Sequence, residues 1–568
     1  MVNIEKVVEK SLNYIDILIK DGLYTIKNQT LTNKINEIND YLKDYNHLLV
    51  TLLVLFIFYL LFQFLKNSTK LFEISTYSYY FFKVFGQFNF IKKEMLKERK
   101  SLTTFVAESI DSHRYDAKYS IQENGLSADK VISLLKDLSK GDKTDPLSVS
   151  RKTGCVYAKN YDYDEICAVA AELYSNVDLN HPDTCPSVKK MEKNISDFML
   201  KLFNNEKYGE ALLTSGGTDS ILTACLAAKN FAKKNNISKP NMIANVKIHP
   251  AFDKGAEVFG IDLIKIPLNS DWTMDLGKLK SAVNENTVMI IACAIDYPHG
   301  LIDDTKYMSD LAIEKNILYH IDGCMGGFIT CFFDDYKINF PPCDFRLPGI
   351  TSISCDVHKY GMTPKGCSVI MFKNKEIKNL IGFGMVGNDG LYINSSALNC
   401  SRNAYLVAAS FAILIKNGRK LYSNQSKRIS TALLDITSKI RKDFPKLKVI
   451  GKPESSIFAF TGSKIGQIHN EMKKKNWTIN LVADPIACMF CMTSENVKSI
   501  EDGSFEKDLK ECYDECYIKN ITKQSSLAAM YGVAANLPES VLNANMDVVL
   551  DCFLDSKEYI NSITPKTK

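Results

Sequence analysis

The chain lacks three features that would point to common functional classes: an excess of one charge, a regular cysteine spacing and internal repeats. Its 70 basic and 65 acidic residues leave a formal net charge of +5, which gives no sign of the basic surface that nucleic-acid binding needs. The 16 cysteines follow no repeated spacing, and Cys488 and Cys491 have no second pair to complete a zinc site. Scattered cysteines are typical of a reducing compartment. We therefore expect no nucleic-acid partner, no metal site and no disulfide framework.

The length and texture of the chain indicate several segments. At 568 residues it exceeds one domain of common size. Strand-like and helix-like stretches alternate after about residue 150, which is typical of an α/β fold with a mostly parallel sheet. We predict a lumenal arm at residues 1–47, a transmembrane helix at 48–66, a juxtamembrane and helical segment at 67–149, a large α/β domain at 150–415 and a smaller α+β domain at 416–563.

The membrane helix is predicted from an uncharged run of 18 residues at 48–65, LLVTLLVLFIFYLLFQFL. A run of that length can cross a bilayer as a helix, and a helix that is apolar on every face is rarely found in a globular core. Basic residues are more frequent after the run than before it, which favours a cytosolic location for everything that follows. We expect a single-pass protein of an internal membrane.

Within the large domain, the stretch at 350–372 (ITSISCDVHKYGMTPKGCSVIMF) reads as two buried strands with Lys359 at the tip between them. A lysine held among apolar residues loses hydration, so we expect the pKa of Lys359 to fall. An uncharged amine is what a lysine needs in order to attack an aldehyde carbonyl. Taken alone, a lysine in a surface turn is the simpler interpretation.

Three further motifs each follow a predicted strand. Gly216 and Gly217 stand before a predicted helix, where backbone N–H groups can face a phosphate. His249 follows the next strand and could lie against an aromatic ring, or simply cap a helix. Asp322 ends a buried strand, and a buried carboxylate needs a cationic partner. The protonated ring nitrogen of pyridoxal phosphate is such a partner. Because the carboxyl ends of strands in an open α/β sheet share one edge, these residues and Lys359 can meet there.

With these residues in place, the sequence resembles the group II pyridoxal-phosphate decarboxylase family of fold type I, and within it the sphingosine-1-phosphate lyases. The motifs that carry the resemblance are Ser215-Gly216-Gly217-Thr218, Tyr297-Pro298-His299-Gly300, His320-Ile321-Asp322, Asp344-Phe345-Arg346, Ser352-Ile353-Ser354-Cys355-Asp356-Val357-His358-Lys359-Tyr360-Gly361 and Pro364-Lys365-Gly366. The resemblance covers residues 150–540 and extends to the membrane run. It implies a location in the endoplasmic reticulum membrane.

The resemblance also implies roles for individual residues. Lys359 would be the Schiff-base lysine and Asp322 the partner of the ring nitrogen, with His249 stacked on the ring. The cofactor phosphate would be held by Gly216, Gly217, Thr218 and His358, and by Ser401 from a neighbouring subunit of a homodimer. The substrate's own phosphate would be held by Tyr157, His181 and Lys365.

The reaction implied is a retro-aldol cleavage of a phosphorylated sphingoid base, giving a long-chain aldehyde and phosphoethanolamine. Lys359, Tyr157 and the substrate phosphate are all candidates for the group that takes the proton of the C3 hydroxyl. Two alternatives remain at this point. One is decarboxylation of an amino acid by the same cofactor, and the other is a catalytically impaired membrane protein, because the segment at 387–392 and Ser401-Arg402-Asn403-Ala404 depart from the family pattern.

Overall fold

The computed structural model describes residues 125–142, 145–179, 183–338, 340–387, 390–394, 398–399 and 402–519. The chain divides into two units, and the one that carries the sheets is Ile132–Tyr531. The other comprises Met1–Val131 and Gly532–Lys568, of which residues 125–131 are described. The predicted transmembrane helix at 48–66 lies outside the described residues. Among those that are described, no helix is both long and apolar enough to cross a membrane.

The helices and strands follow one another in an order that alternates through the first half of the larger unit. The helices are α1 Ala128–Leu138, α2 Pro146–Ser150, α3 Tyr161–Tyr174, α4 Pro186–Leu202, α5 Gly217–Lys234, α6 Ala251–Phe259, α7 Leu276–Ala282, α8 Thr305–Lys315, α9 Gly327–Thr330, α10 Lys375–Lys378, α11 Ala404–Asp443, α12 Ile465–Lys474, α13 Val497–Glu501 and α14 Ser504–Tyr517. The strands are β1 Glu210–Thr214, β2 Asn241–Asn245, β3 Asp262–Ile266, β4 Thr287–Cys293, β5 Leu318–Asp322, β6 Ser352–Cys355, β7 Ser368–Phe372, β8 Phe383–Gly387, β9 Gly390–Asn394, β10 Lys448–Val449, β11 Ile457–Thr461, β12 Asn480–Val482 and β13 Ala487–Cys491.

A seven-stranded sheet in the order β1-β7-β6-β5-β4-β2-β3 forms the centre of the larger unit. Strands β3, β2, β4, β5 and β6 are parallel, and β7 runs antiparallel to both β1 and β6. Every residue of β2, β4, β5, β6 and β7 is buried, because helices cover both faces of a parallel sheet. This explains why the strands appear in the sequence as continuous apolar runs. The predicted mostly parallel sheet is confirmed.

A second sheet of four antiparallel strands, in the order β10-β11-β13-β12, lies in the C-terminal half. Its central strand β13 contains Cys488 and Cys491, both buried among apolar side chains. The predicted domain boundary at 415/416 falls inside α11, shortly before Gly418, whose φ of 64° interrupts the helix.

The two sheets are joined tightly at Gly300. Its φ is 77°, and a Cβ added there would lie 1.9 Å from the carbonyl oxygen of Ile457 on β11. The loop that follows β4 therefore packs backbone against backbone on the second sheet, and only glycine allows this approach. The same loop forms one wall of the cavity described next.

Candidate active site

A cavity of about 410 Å³ lies at the carboxyl ends of β1, β2, β4, β5 and β6. Its lining includes seven of the residues predicted from sequence: Gly216, Gly217, Thr218, His249, Asp322, His358 and Lys359. They come from the ends of four strands, β1, β2, β5 and β6, so the parallel topology brings together residues that are up to 143 positions apart (216 to 359). Ligands bind at this edge in open α/β sheets.

Lys359 follows β6 and forms an ion pair inside the cavity. Its Nζ lies 2.9 Å from Oδ2 of Asp356. Burial lowers the pKa of Lys359, but the Asp356 carboxylate, with smaller contributions from Cys324 and Asp322, outweighs burial, and the pKa is raised above its ordinary value. The predicted fall in the pKa of Lys359 is therefore wrong for the site as the structure shows it. The sequence indicated that Lys359 is buried, but the prediction did not consider the neighbouring carboxylate of Asp356.

Asp356 stands in a motif noted from the sequence but was given no role in the predicted site. It is buried, it lines the cavity, and its Oδ1 accepts no hydrogen bond from any residue that the structure describes. Its Oδ2 also lies 3.5 Å from Nε2 of His358. A carboxylate that interrupts an apolar run directly before a predicted catalytic turn is a signal that could have identified it.

We expect the variant Asp356→Asn to shift the pH dependence of cofactor attachment to Lys359. The substitution removes the charge that raises the pKa of Lys359 and leaves burial, which lowers it. The uncharged amine is then present at lower pH, and the curve of attachment rate against pH should move toward acid. The rate of pyridoxal phosphate incorporation into apoprotein across pH measures this. A curve that stays in place or moves toward alkaline pH would show that Asp356 does not control this amine.

The turn between β1 and α5 forms a glycine-lined cradle. Helix α5 begins at Gly217, so its first N–H groups are free to face an anion. A Cβ at Gly217 would lie 2.9 Å from Oδ2 of Asp356 and 3.1 Å from Sγ of Cys324, so a larger residue there would have to displace the Asp356 carboxylate. Asp219 fixes the turn by accepting a hydrogen bond from the Ser215 N–H at 2.9 Å.

Two histidines lie beside this cradle. Nδ1 of His249 accepts a hydrogen bond from the N–H of Ala251 at 3.1 Å, which fixes the ring at the start of α6. Nδ1 of His358 accepts one from the N–H of Cys367 at 3.2 Å. Burial is the main cause that lowers the pKa of His358, so its ring is a neutral hydrogen-bonding group at neutral pH.

Asp322 ends β5 and is buried at the floor of the cavity. Its Oδ1 accepts hydrogen bonds from the Cys324 N–H at 3.0 Å and from the Ser354 hydroxyl at 3.3 Å. In the described part of the chain no lysine or arginine forms an ion pair with this carboxylate. A buried carboxylate left in this way suits a ligand that brings its own cationic N–H.

Tyr157 and Lys365 do not line the cavity but lie directly behind its wall. Nζ of Lys365 is 4.5 Å from the centre of the Tyr157 ring and 3.3 Å from the carbonyl oxygen of His358. The Tyr157 hydroxyl is 3.9 Å from Sδ of Met325, which lines the cavity. Burial and the positive charge of Lys359 lower the pKa of Lys365, and such an ammonium is stabilised by an anionic ligand. Two other predicted residues, His181 and Ser401, lie outside the described residues.

These residues fit pyridoxal phosphate. The glycine cradle that a Cβ would fill suits its phosphate, Asp322 suits its ring nitrogen, and Lys359 supplies the amine that reacts with its aldehyde. The model of the pyridoxal-dependent decarboxylase conserved domain matches residues 163–462. A sphingosine-1-phosphate lyase of Saccharomyces cerevisiae is 32% identical over 79% of this chain and 77% of its own length.

The chain belongs to the pyridoxal-dependent decarboxylase family, in its sphingosine-1-phosphate lyase branch.

Other members of this branch agree over most of the chain. Sphingosine-1-phosphate lyase 1 of Rattus norvegicus is 28% identical over 93% of each chain. The solved structure of a sphingosine-1-phosphate lyase from Burkholderia pseudomallei superposes with a TM-score of 0.68 at 30% identity, covering 74% of this chain and 98% of its own. The predicted fold type I architecture is confirmed, and the protein is a pyridoxal-phosphate-dependent lyase.

Proposed function

We propose that this lyase cleaves phosphorylated sphingoid bases between C2 and C3, giving a long-chain aldehyde and phosphoethanolamine. The observation that carries the proposal is the position of Lys365 and Tyr157 directly beside the cavity that holds Lys359 and Asp322. The cofactor, when bound, supplies an electron sink for the pair of electrons that the broken bond leaves behind. The names of the relatives in this branch support the same substrate class.

Lys359 and Asp356 form the proton-handling pair in this proposal. Nζ of Lys359 gives up a proton to become a nucleophile, and Oδ2 of Asp356 lies at hydrogen-bond distance to hold it. With a substrate amine bound to the cofactor in its place, the free Lys359 amine would again lie beside this carboxylate. Lys359 lines the cavity and Tyr157 does not, which favours Lys359 over Tyr157 as the group that receives the proton of the C3 hydroxyl. Burial raises the pKa of Tyr157 well above its ordinary range, so this phenol is a poor base at neutral pH.

Tyr157 and Lys365 are proposed to hold the substrate phosphate. The ring of Tyr157 is fixed in place because it packs edge-on against Tyr360, with the ring centres 5.0 Å apart. The Ser494 hydroxyl donates to its carbonyl oxygen at 2.9 Å. The phenol of Tyr157 and the exposed ammonium of Lys365 offer donors and positive charge to a phosphate monoester. An amino acid without a phosphate would leave that cation without an anionic ligand.

The direct experiment supplies purified full-length protein, loaded with pyridoxal phosphate, with a phosphorylated sphingoid base and, separately, with aromatic and acidic amino acids. We expect aldehyde and phosphoethanolamine from the first and no CO₂ from the others. Release of CO₂ without any aldehyde would instead favour the amino-acid decarboxylase.

We expect Lys365→Met to raise the KM for a phosphorylated sphingoid base by about 10- to 100-fold, since one charge-assisted hydrogen bond to phosphate is lost. Cofactor content and the visible absorption of the bound cofactor should stay unchanged. Lys373→Met is the matched control, because Lys373 contacts the Pro348 carbonyl oxygen on the surface. Steady-state kinetics and spectra of both variants measure the difference, and an unaltered KM in Lys365→Met would remove this residue from the phosphate site.

We further propose that the protein is anchored by residues 48–66 in the endoplasmic reticulum membrane, with its catalytic unit in the cytosol. The uncharged run and the basic residues that follow it support this. Protease protection of sealed microsomes tests the orientation: a tag at residue 568 should be cleaved without detergent, and a protected tag would reverse the proposed topology.

A homodimer is proposed on independent grounds. The strand β8 exposes Phe383, Met385 and Val386 to solvent, and a second copy of the chain would cover such an apolar strand. Under this proposal Ser401 reaches the cofactor phosphate of the partner. Mixing Ser401→Ala with Lys359→Ala protomers tests it, because hybrid dimers then contain one site with both substitutions and one with neither. Restored activity in the mixture is expected, and a mixture no more active than its parts would contradict a shared site.

A further inference from the structure

His320 is a buried titratable residue to which the proposed reaction assigns no part. It lies on β5 two positions before Asp322, so both side chains leave the same face of the strand. The neighbouring strand β6 is parallel and in register, with Ser352 opposite His320 and Ser354 opposite Asp322. Two histidine–serine contacts result: Nδ1 of His320 lies 2.8 Å from Oγ of Ser352, and Nε2 lies 3.2 Å from Oγ of Ser354.

The direction of these hydrogen bonds follows from the single proton of each hydroxyl. Ser354 uses its proton to donate to Oδ1 of Asp322 at 3.3 Å, so toward His320 it must accept, and Nε2 of His320 carries the hydrogen. Burial lowers the pKa of His320 to about 4, so the ring is neutral and Nδ1 is then an acceptor. Ser352 must therefore donate to Nδ1.

Each hydrogen bond in this series is therefore donated in the direction of Asp322. We propose that Ser352, His320 and Ser354 form a hydrogen-bonded relay that keeps the Asp322 carboxylate ionised and thereby keeps the proton on the ring nitrogen of bound pyridoxal phosphate. The proposal rests on the cofactor assignment above. His320 and Ser354 are positioning residues, because they act through Asp322 and not on the substrate.

The physical basis is the preference of hydrogen-bond donors for the charged form of a carboxylate. A donor that faces a carboxylate stabilises its ionised form and lowers its affinity for a proton. Successive donors polarise one another, which strengthens the last bond of the chain. Cys324 adds to this arrangement, because its thiol lies 3.2 Å from the same Ser354 oxygen and its N–H donates to Asp322. With Oδ1 occupied in this way, the proton shared between Asp322 and the ring nitrogen is held on the ring.

The test uses full-length protein loaded with pyridoxal phosphate labelled with ¹⁵N in the ring, so that the ¹⁵N chemical shift reports the protonation of this nitrogen without substrate. In Ser354→Ala we expect the pKa of the ring nitrogen to fall by about one unit and kcat to fall about tenfold with little change in KM, since one hydrogen bond to a charged group is lost. Ser430→Ala is the matched control: this serine is buried on α11 and contacts Tyr336. In Ser430→Ala the ring nitrogen should have the same pKa as in wild type.

Ser354→Ala also leaves Nε2 of His320 without an acceptor, so a second variant guards against a folding defect. Ser352→Ala breaks the relay at its far end and keeps both hydrogen bonds to Asp322. We expect a smaller shift in the same direction. If the ring nitrogen has the wild-type pKa in both variants, the relay proposal is wrong, even where the lyase reaction itself is established. If wild-type protein binds cofactor but cleaves no sphingoid base, the proposed substrate fails while the titration still decides the relay.

Discussion

The variant Lys359→Ala should lose essentially all lyase activity, with kcat reduced on the order of 10³-fold or more, the range associated with loss of a group that transfers protons. Lys359 is the amine that the cavity presents to the cofactor aldehyde, and in the proposed reaction it also receives the proton of the C3 hydroxyl. Both tasks disappear with the side chain. Turnover of a phosphorylated sphingoid base measures the fall in kcat. Peptide mass spectrometry after borohydride reduction should find the cofactor attached to Lys359 in wild type only.

A control is needed because the substitution also removes the partner of Asp356. A buried carboxylate that loses its cation destabilises the fold. Loss of activity could then result from unfolding and not from loss of the catalytic amine. The double variant Lys359→Ala/Asp356→Asn removes both charges together. It should unfold near the wild-type temperature and remain inactive. If that folded double variant retained turnover within tenfold of wild type, Lys359 would not be the catalytic amine.

Much of this site could be predicted because its residues follow strands with an unambiguous apolar pattern. The strands ending at Asp322 and Cys355 are buried throughout in the structure, and the strand ending at Thr214 is buried at its last two residues. Parallel strands bring these ends to one edge of the sheet. The edge strand β3 was not predicted, because Asp262 and Lys265 break its apolar pattern where it faces solvent. Strand β13 was considered only as a possible zinc motif.

What the sequence did not provide is the distance between side chains from different strands. Burial of Lys359 could be inferred from its neighbours, but the 2.9 Å contact with Asp356, which reverses the direction of its pKa shift, depends on the conformation of the turn after β6. In the same way, His320 and Ser354 stand in motifs that were already noted. Their hydrogen bond depends on the register of β5 against β6, and strands buried on both faces lack the polar alternation from which a register could be predicted.

The variant Asp322→Asn should reduce kcat by roughly 10²- to 10³-fold, the cost of removing one preorganised electrostatic group from an active site. The amide has nearly the same shape as the carboxylate but no charge to hold a proton on the ring nitrogen, so the cofactor becomes a weaker electron sink. Its hydrogen bonds from Cys324 and Ser354 can be retained by the amide oxygen, so the fold should be preserved. Cofactor affinity should also fall, because a buried ion pair is lost.

Kinetics at saturating pyridoxal phosphate separate these two effects, since weak binding is corrected by added cofactor and a weak electron sink is not. Asp335→Asn is the matched control: its carboxylate pairs with Arg419 at 2.8 Å on the protein surface, where the loss of an ion pair has little effect. We expect kcat to remain low in Asp322→Asn at every cofactor concentration and to stay near wild type in Asp335→Asn. Full recovery of kcat in Asp322→Asn on adding cofactor would mean that this carboxylate serves only to bind the ring, and the relay behind it would then have no catalytic consequence.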